Sequence, residues 1–152
     1  MAISYATIGE LAGYIGVPLL ADKNIVSRPT LATTCFVLLS LFYGTVPLTT
    51  SLLSYVVVDG FLITFIAAVS AVRCSLMTEF FGPAKVPMYM AATGFLLIPL
   101  QLINPTIIGI FRDEKGSYDY MYWLLCGMHL LMVLLYAPLV YSLRLQEKEA
   151  RE

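Results

Sequence analysis

Residues 52–74 read LLSYVVVDGFLITFIAAVSAVRC, and this stretch decides the fold class because it contains only one acidic and one basic side chain. A helix needs roughly 20 predominantly apolar residues to cross a bilayer core of about 30 Å. The stretch therefore predicts a helix that spans a membrane.

Further segments on both sides have a similar length and character. They cover residues 2–21, 30–47, 86–111 and 120–143, and a mixed-charge tail follows at 144–152. The connections between them are short, so none leaves room for a soluble domain. We expect an all-α, polytopic transmembrane helix bundle of about five spans.

Composition indicates the same solvent and excludes several functions. Charged residues make up 12% of the 152 residues, about half the share of an ordinary soluble domain, and the mean hydropathy is +0.83. These values predict a lipid bilayer as the surrounding medium. A net charge of −1 without a basic stripe gives no sign of nucleic acid. No cysteine spacing, phosphate loop or nucleophile motif indicates a metal, a cofactor or an enzyme.

Lysine and arginine residues predict the orientation. If the helices alternate in direction, seven of these residues fall on one side and only Arg112 and Lys115 fall on the other. The rule that cytoplasmic loops carry the excess of positive charge then predicts a cytoplasmic C-terminal tail and an external loop at 116–118. With five spans the N-terminus would also be external. The aromatic residues Tyr118, Tyr120, Tyr122 and Trp123 support an interface at the start of the fifth span.

Small residues recur at helical spacing on two of the spans. Gly9 and Gly13 form a pair on the first span, and the third span carries a stripe of Gly60, Thr64, Ala68, Ala71 and Ser75. Lipid gives helices no hydrophobic reason to associate, so small residues let the backbones approach closely. Packing is the expected role, and a lining of a substrate path is the alternative.

The fourth span contains residues that favour a broken helix. Pro99 and Pro105 each remove a backbone donor, and Gln101 and Asn104 lie beside them. Interrupted helices are common around transporter sites. A kinked helix without a functional role is the alternative.

Two carboxylates lie at depth in the predicted spans. Glu10 and Asp59 are each about eight residues inside, or roughly 12 Å along the helix axis. An acidic side chain at the bilayer centre costs about 2.5–3.5 kcal/mol, so it faces protein or water or takes up a proton. Both are candidate functional residues, and a protonated structural role is the alternative. His129 has no titratable neighbour in sequence, and packing is its expected role.

Three motifs resemble one known family. The sequence PTIIGIFRDEKGSYDY at 105–120 resembles the end of helix eleven and the following loop of monocarboxylate transporters, in the major facilitator superfamily. The segments at 16–28 and 79–83 resemble the turns after helices eight and ten. The resemblance implies that the chain is a partial major facilitator fold, helices eight to twelve. The N-terminal transporter half would then be missing, and the piece alone would be inactive.

The resemblance also implies a function and a site. It implies transport of a small organic solute, a monocarboxylate among the candidates, by a secondary transporter in the plasma membrane. Proton-coupled members carry an Asp and, one turn later, an Arg on helix eight, and the matching positions here are Glu10 and Tyr14. Tyr14 lacks the fixed positive charge that pairs with a carboxylate. This departure argues against proton-coupled carboxylate symport and in favour of a neutral, zwitterionic or bulkier solute.

Other classes of protein compete with this interpretation. The main alternative is a small multi-span adaptor or scaffold without transport activity. A tetraspanin-like protein fits less well, because residues 112–119 contain no cysteine. A membrane-embedded enzyme would need titratable side chains that come together only in space.

Overall fold

The chain folds into five long helices. The computed structural model describes residues 2–23, 26–113 and 116–149. The parts of the predicted turns at 24–25 and 114–115, and the end of the predicted tail at 150–152, lie outside these residues. The helices are α1 (Ala2–Asp22), α2 (Arg28–Thr45), α3 (Leu52–Phe81), α4 (Val86–Asp113) and α5 (Asp119–Glu149). Two short 3₁₀ turns, Val46–Leu48 and Pro83–Lys85, follow α2 and α3. The described residues contain no strand, which confirms the all-α prediction.

Four of these helical segments are long and apolar enough to cross a membrane. Among the described residues, these segments meet the length and mean hydropathy of a membrane span: Arg28–Leu48, Leu52–Phe81, Pro83–Asp113 and Asp119–Ser142. α1 has 21 residues and is thus about 30 Å long. Large apolar side chains are exposed on the outer faces, among them Leu52 at 80% and Phe95 at 75%. A surface of this kind requires lipid, so the chain is a multi-pass membrane protein.

Local chemistry sets both ends of α3. The Ser51 hydroxyl accepts a hydrogen bond from the Ser54 amide at 3.1 Å, and the Ser54 hydroxyl accepts one from the Ser51 amide at 3.3 Å. This reciprocal capping begins the helix. At the other end the helix continues beyond Cys74 to Phe81, because the first helix breaker is Gly82, at φ 79°, followed by Pro83.

α1 and α3 approach each other along a line of small residues, which we call the glycine seam. A Cβ placed on Gly9 would lie 2.9 Å from both the Gly60 carbonyl oxygen and the Thr64 hydroxyl. A Cβ on Gly13 would overlap the Thr64 carbonyl oxygen and lie 2.9 Å from the Ala67 side chain. The pair Gly9 and Gly13 thus meets Gly60 and Thr64 of the predicted stripe, together with Ala67, and packs against them.

α2 lies between α3 and α5. Its contact with α3 buries two apolar clusters, Leu31, Ala32, Val72 and Leu76 near one end, and Leu39, Val46 and Leu62 near the other. Its contact with α5 is partly polar, because the Ser40 hydroxyl donates a hydrogen bond to the Cys126 carbonyl at 3.0 Å.

An ion pair joins the start of α2 to the end of α3. Arg28 Nη1 lies 3.5 Å from Glu79 Oε2, and both side chains are partly exposed. The pair shows that the two helices run antiparallel and marks one end of the bundle. An exposed pair of this kind contributes little to stability.

α4 stands apart from the other helices. None of its residues is buried, and its clearest side-chain contact lies near its first turn, where the rings of Tyr89 and Phe81 stack with centroids 4.1 Å apart. The packed part of the bundle is therefore formed by α1, α2, α3 and α5.

The glycine seam predicts that Gly13→Ala destabilises the bundle. The added methyl group would push against the backbone of α3, and overpacking of this kind costs about 1–3 kcal/mol. The variant should unfold at a lower melting temperature than the natural chain. Thermal unfolding in detergent micelles, monitored by size-exclusion chromatography, measures this difference. Gly16→Ala is the matched control on the same helix, because no atom of another described helix lies within 4 Å of its added Cβ. Equal melting temperatures for the two variants would contradict the seam.

Candidate functional site

Glu10 and Tyr14 lie one turn apart on the outer face of α1. Gly9 and Gly13 face α3, and Glu10 and Tyr14, each one residue later, lie about 100° around the helix from them. Glu10 is exposed, and Tyr14 is 45% exposed. Within the described residues, no hydrogen bond or ion pair is found for the Glu10 carboxylate. The two candidates therefore share one surface, and the described helices do not cover it.

Asp59 lies on α3 and is half-buried. It is close enough to Tyr43 of α2 and Tyr122 of α5 to act on both hydroxyls electrostatically. The hydroxyls of Tyr122 and Tyr55, which lies one turn before Asp59 on α3, are also close enough to interact. We call these four residues the Asp59 cluster. It draws side chains from three helices, whereas Glu10 and Tyr14 stand on another.

The Asp59 cluster can hold a carboxyl group at depth in a membrane. Tyrosine hydroxyls donate and accept hydrogen bonds, so they can support a carboxylate or its protonated form. A polar network in a medium of low dielectric constant is stabilising when its members are satisfied. The cluster is thus suited to a structural connection between α2, α3 and α5.

His129 lies beside this cluster on α5. Its Nδ1 is 2.7 Å from the Leu125 carbonyl oxygen, so an Nδ1–H tautomer donates a hydrogen bond within its own helix. Its ring packs against Tyr43, with centroids 5.0 Å apart, and against Phe36 at 6.2 Å. These contacts fit the packing role expected from the sequence.

Pro99, Gln101, Asn104 and Pro105 lie on α4, which is one continuous helix from Val86 to Asp113. The break predicted from the prolines is absent in this conformation. Each proline removes one backbone hydrogen bond, and the turns on either side retain theirs. Gln101 and Asn104 are both exposed, so their amide groups face away from the packed helices.

The structure does not assemble all the predicted residues into one site. Glu10 and Tyr14 form one surface, Asp59 belongs to the cluster with the tyrosines, and the α4 residues form a third region. Within the described residues no group of three or more His, Cys, Asp or Glu side chains could hold a metal ion. The tyrosines around Asp59 were missed because Tyr43 and Tyr122 lie on other helices, and Tyr122 was assigned to an interfacial group.

Comparisons with known proteins identify no relative of this chain. No protein family model matches the chain, and no curated protein or solved structure matches it. The fold defines the class as a multi-pass α-helical membrane protein.

The Asp59 cluster predicts that the hydroxyls of Tyr55 and Tyr122 are energetically coupled. Side-chain hydrogen bonds between membrane helices contribute about 0.6 kcal/mol to stability on average and at most about 1.7 kcal/mol. Tyr122→Phe should lower the free energy of unfolding by a similar amount, measured by denaturant titration in bicelles. Tyr120→Phe is the control, because Tyr120 is 60% exposed on the same helix.

A double-mutant cycle makes the test specific. Once Tyr55 is already Phe, Tyr122→Phe should cost less than it does in the natural chain, because the interaction between the two hydroxyls is gone. Strictly additive effects of the two substitutions would contradict this interaction.

Proposed function

We propose that this chain forms one wall of a secondary transporter for small organic solutes, similar to the monocarboxylate transporters. The observation that carries the proposal is the position of Glu10 on the uncovered face of α1. In this proposal the protein resides in the plasma membrane with its C-terminal tail in the cytoplasm. A second wall, supplied by a further set of helices, completes the solute path.

The cost of exposing a carboxylate to lipid supports a path at this face. Glu10 lies near the middle of the 21-residue α1, where an acidic side chain in hydrocarbon costs about 2.5–3.5 kcal/mol. The glycine seam fixes the orientation of α1, so Glu10 does not turn inward while that contact holds. A water-filled path or a polar partner next to α1 removes the cost.

α4 supplies the second support. Gln101 and Asn104 expose amide groups from a span that has no buried residue. Amide groups in lipid lack hydrogen-bond partners, and water or a polar solute provides them. Pro99 and Pro105 each remove one backbone hydrogen bond and so lower the cost of bending α4. A helix of this kind is suited to move as a solute path opens and closes.

The side chains on α1 define what this path would bind. Glu10 would exchange a proton or accept a hydrogen bond from the solute, and Tyr14 would donate or accept through its hydroxyl. Neither residue provides a fixed positive charge. The proposed solute is therefore neutral or zwitterionic in preference to a simple monocarboxylate such as lactate.

A scaffold without transport activity is the second candidate. The observation that favours it is the uncovered surface of α4, which would suit a helix that packs on another membrane protein. Under this alternative Glu10 would pair with a partner side chain, and no solute would cross. Uptake measurements separate the two functions.

The transport proposal predicts that Glu10→Gln impairs uptake. Cells expressing the complete coding sequence that contains this chain would be given labelled lactate, pyruvate and a panel of neutral and zwitterionic amino acids. Loss of a charge-assisted hydrogen bond to the solute should decrease the uptake rate about tenfold or more. The residual uptake by the Glu10→Gln variant should no longer depend on pH.

Glu79→Gln is the control, because it removes an exposed carboxylate at the end of the bundle. It should leave uptake unchanged when the amount of protein at the cell surface is equal. Transport would be refuted if no solute of the panel accumulated above the level of untransfected cells. Uptake by Glu10→Gln equal to that of the natural protein at every pH would refute the role of Glu10.

A further inference from the structure

A cavity of about 540 Å³ lies between α2, α3 and α5, away from the Glu10 face. Its size falls in the range of pockets that hold drug-sized ligands. Its walls are mainly apolar, with Phe36 from α2, Val69 and Leu76 from α3, and Met132 from α5. Two polar side chains, Arg73 and Tyr136, also line it.

Arg73 is exposed, and its side chain brings a permanent positive charge to the edge of this apolar cavity. Within the described residues, no ion pair or hydrogen bond is found for its guanidinium. The nearest acidic residues along α3 are engaged or distant, because Glu79 pairs with Arg28 and Asp59 lies about 21 Å away along the axis. A charge inside a span is costly unless an opposite charge or water compensates it. An anion from outside the described helices would meet this need.

The position of Arg73 indicates where such an anion would come from. Arg73 precedes Glu79 by six residues, which places it about 9 Å along the axis from the Arg28–Glu79 pair at the end of the bundle. This depth is within reach of the headgroup layer for a long arginine side chain. Arg73 lies partway along this cavity. Phe36, Val69 and Met132 line its deeper part, and the part toward the end of the bundle is lined by Leu76, Met77, Phe80 and Phe81. The cavity thus presents a cation with apolar surface on both sides of it.

We propose that this cavity binds an anionic phospholipid of the surrounding bilayer. The guanidinium of Arg73 binds the phosphate, and one acyl chain lies in the apolar part against Phe36, Val69 and Met132. A planar guanidinium suits phosphate oxygens because it donates two parallel hydrogen bonds to them. The Tyr136 hydroxyl can donate a further hydrogen bond to the lipid. The proposal is independent of the solute path, since it uses other helices and other residues.

The test uses the full chain in nanodiscs of phosphatidylcholine, with and without 20 mol% phosphatidylglycerol. Native mass spectrometry of the released protein would count retained lipids, and thermal unfolding would measure the stabilisation by phosphatidylglycerol. Arg73→Gln should weaken phosphatidylglycerol binding about tenfold or more and abolish the stabilisation. Arg73→Lys should retain part of the affinity, because it keeps the charge and loses the planar geometry.

Two further variants make the result specific. Lys85→Gln removes an exposed cation from the 3₁₀ turn after α3 and should bind phosphatidylglycerol as the natural chain does. Met132→Trp keeps Arg73 but narrows the apolar part, so it should also weaken binding. Equal binding by Arg73→Gln and the natural chain would overturn the proposal, as would equal losses for Arg73→Gln and Lys85→Gln.

Two soluble competitors distinguish the phospholipid from simpler anions. Inorganic phosphate tests the headgroup alone, and oleate tests a free carboxylate with an acyl chain. Neither should displace phosphatidylglycerol at equal concentration, because each lacks part of the proposed contact. Displacement by phosphate would reduce the site to an anion site, and displacement by oleate would reassign it to a fatty acid. Either result would contradict the phospholipid assignment.

Discussion

The arrangement of this bundle depends on how closely α1 and α3 approach each other. Lipid offers helices no hydrophobic gain on association, so backbone proximity and van der Waals packing hold them together. At Gly13 the two helices leave no room for a side chain between them. That contact fixes the rotation of α1 and turns Glu10 outward. It also leaves the remaining faces of α3 free for α2, on which α5 then packs.

Several elements of this fold could be predicted from sequence because their causes are local. Apolar length identified the helices, and spacing identified Gly9, Gly13, Gly60 and Thr64 of the seam but not Ala67. The helix α3 extends seven residues beyond the predicted span at 52–74, since hydrophobicity declines near Cys74 but no helix breaker occurs before Gly82. α4 is continuous despite Pro99 and Pro105, since a single missing hydrogen bond does not end a long helix. The tyrosines around Asp59 depend on three helices meeting, and no local pattern contains that information.

The charged groups inside the spans explain where this molecule meets its surroundings. Asp59 is half-buried and lies within electrostatic range of tyrosines on two other helices. Glu10 and Arg73 have no such neighbours among the described residues. The two residues lie on different surfaces of the bundle, and Glu10 is negatively charged whereas Arg73 is positively charged. The solute path proposed at one surface and the lipid proposed at the other follow from the same requirement, that a charge in a membrane must be compensated.

All of these conclusions require the helices to cross a bilayer, and alkaline carbonate extraction tests this claim most directly. Membranes from cells expressing the chain would be washed at high pH, which removes peripheral proteins and leaves integral ones in the pellet. We predict that the chain stays in the pellet and dissolves only when detergent is added. A chain that enters the wash and remains folded and monomeric in plain buffer would contradict the account.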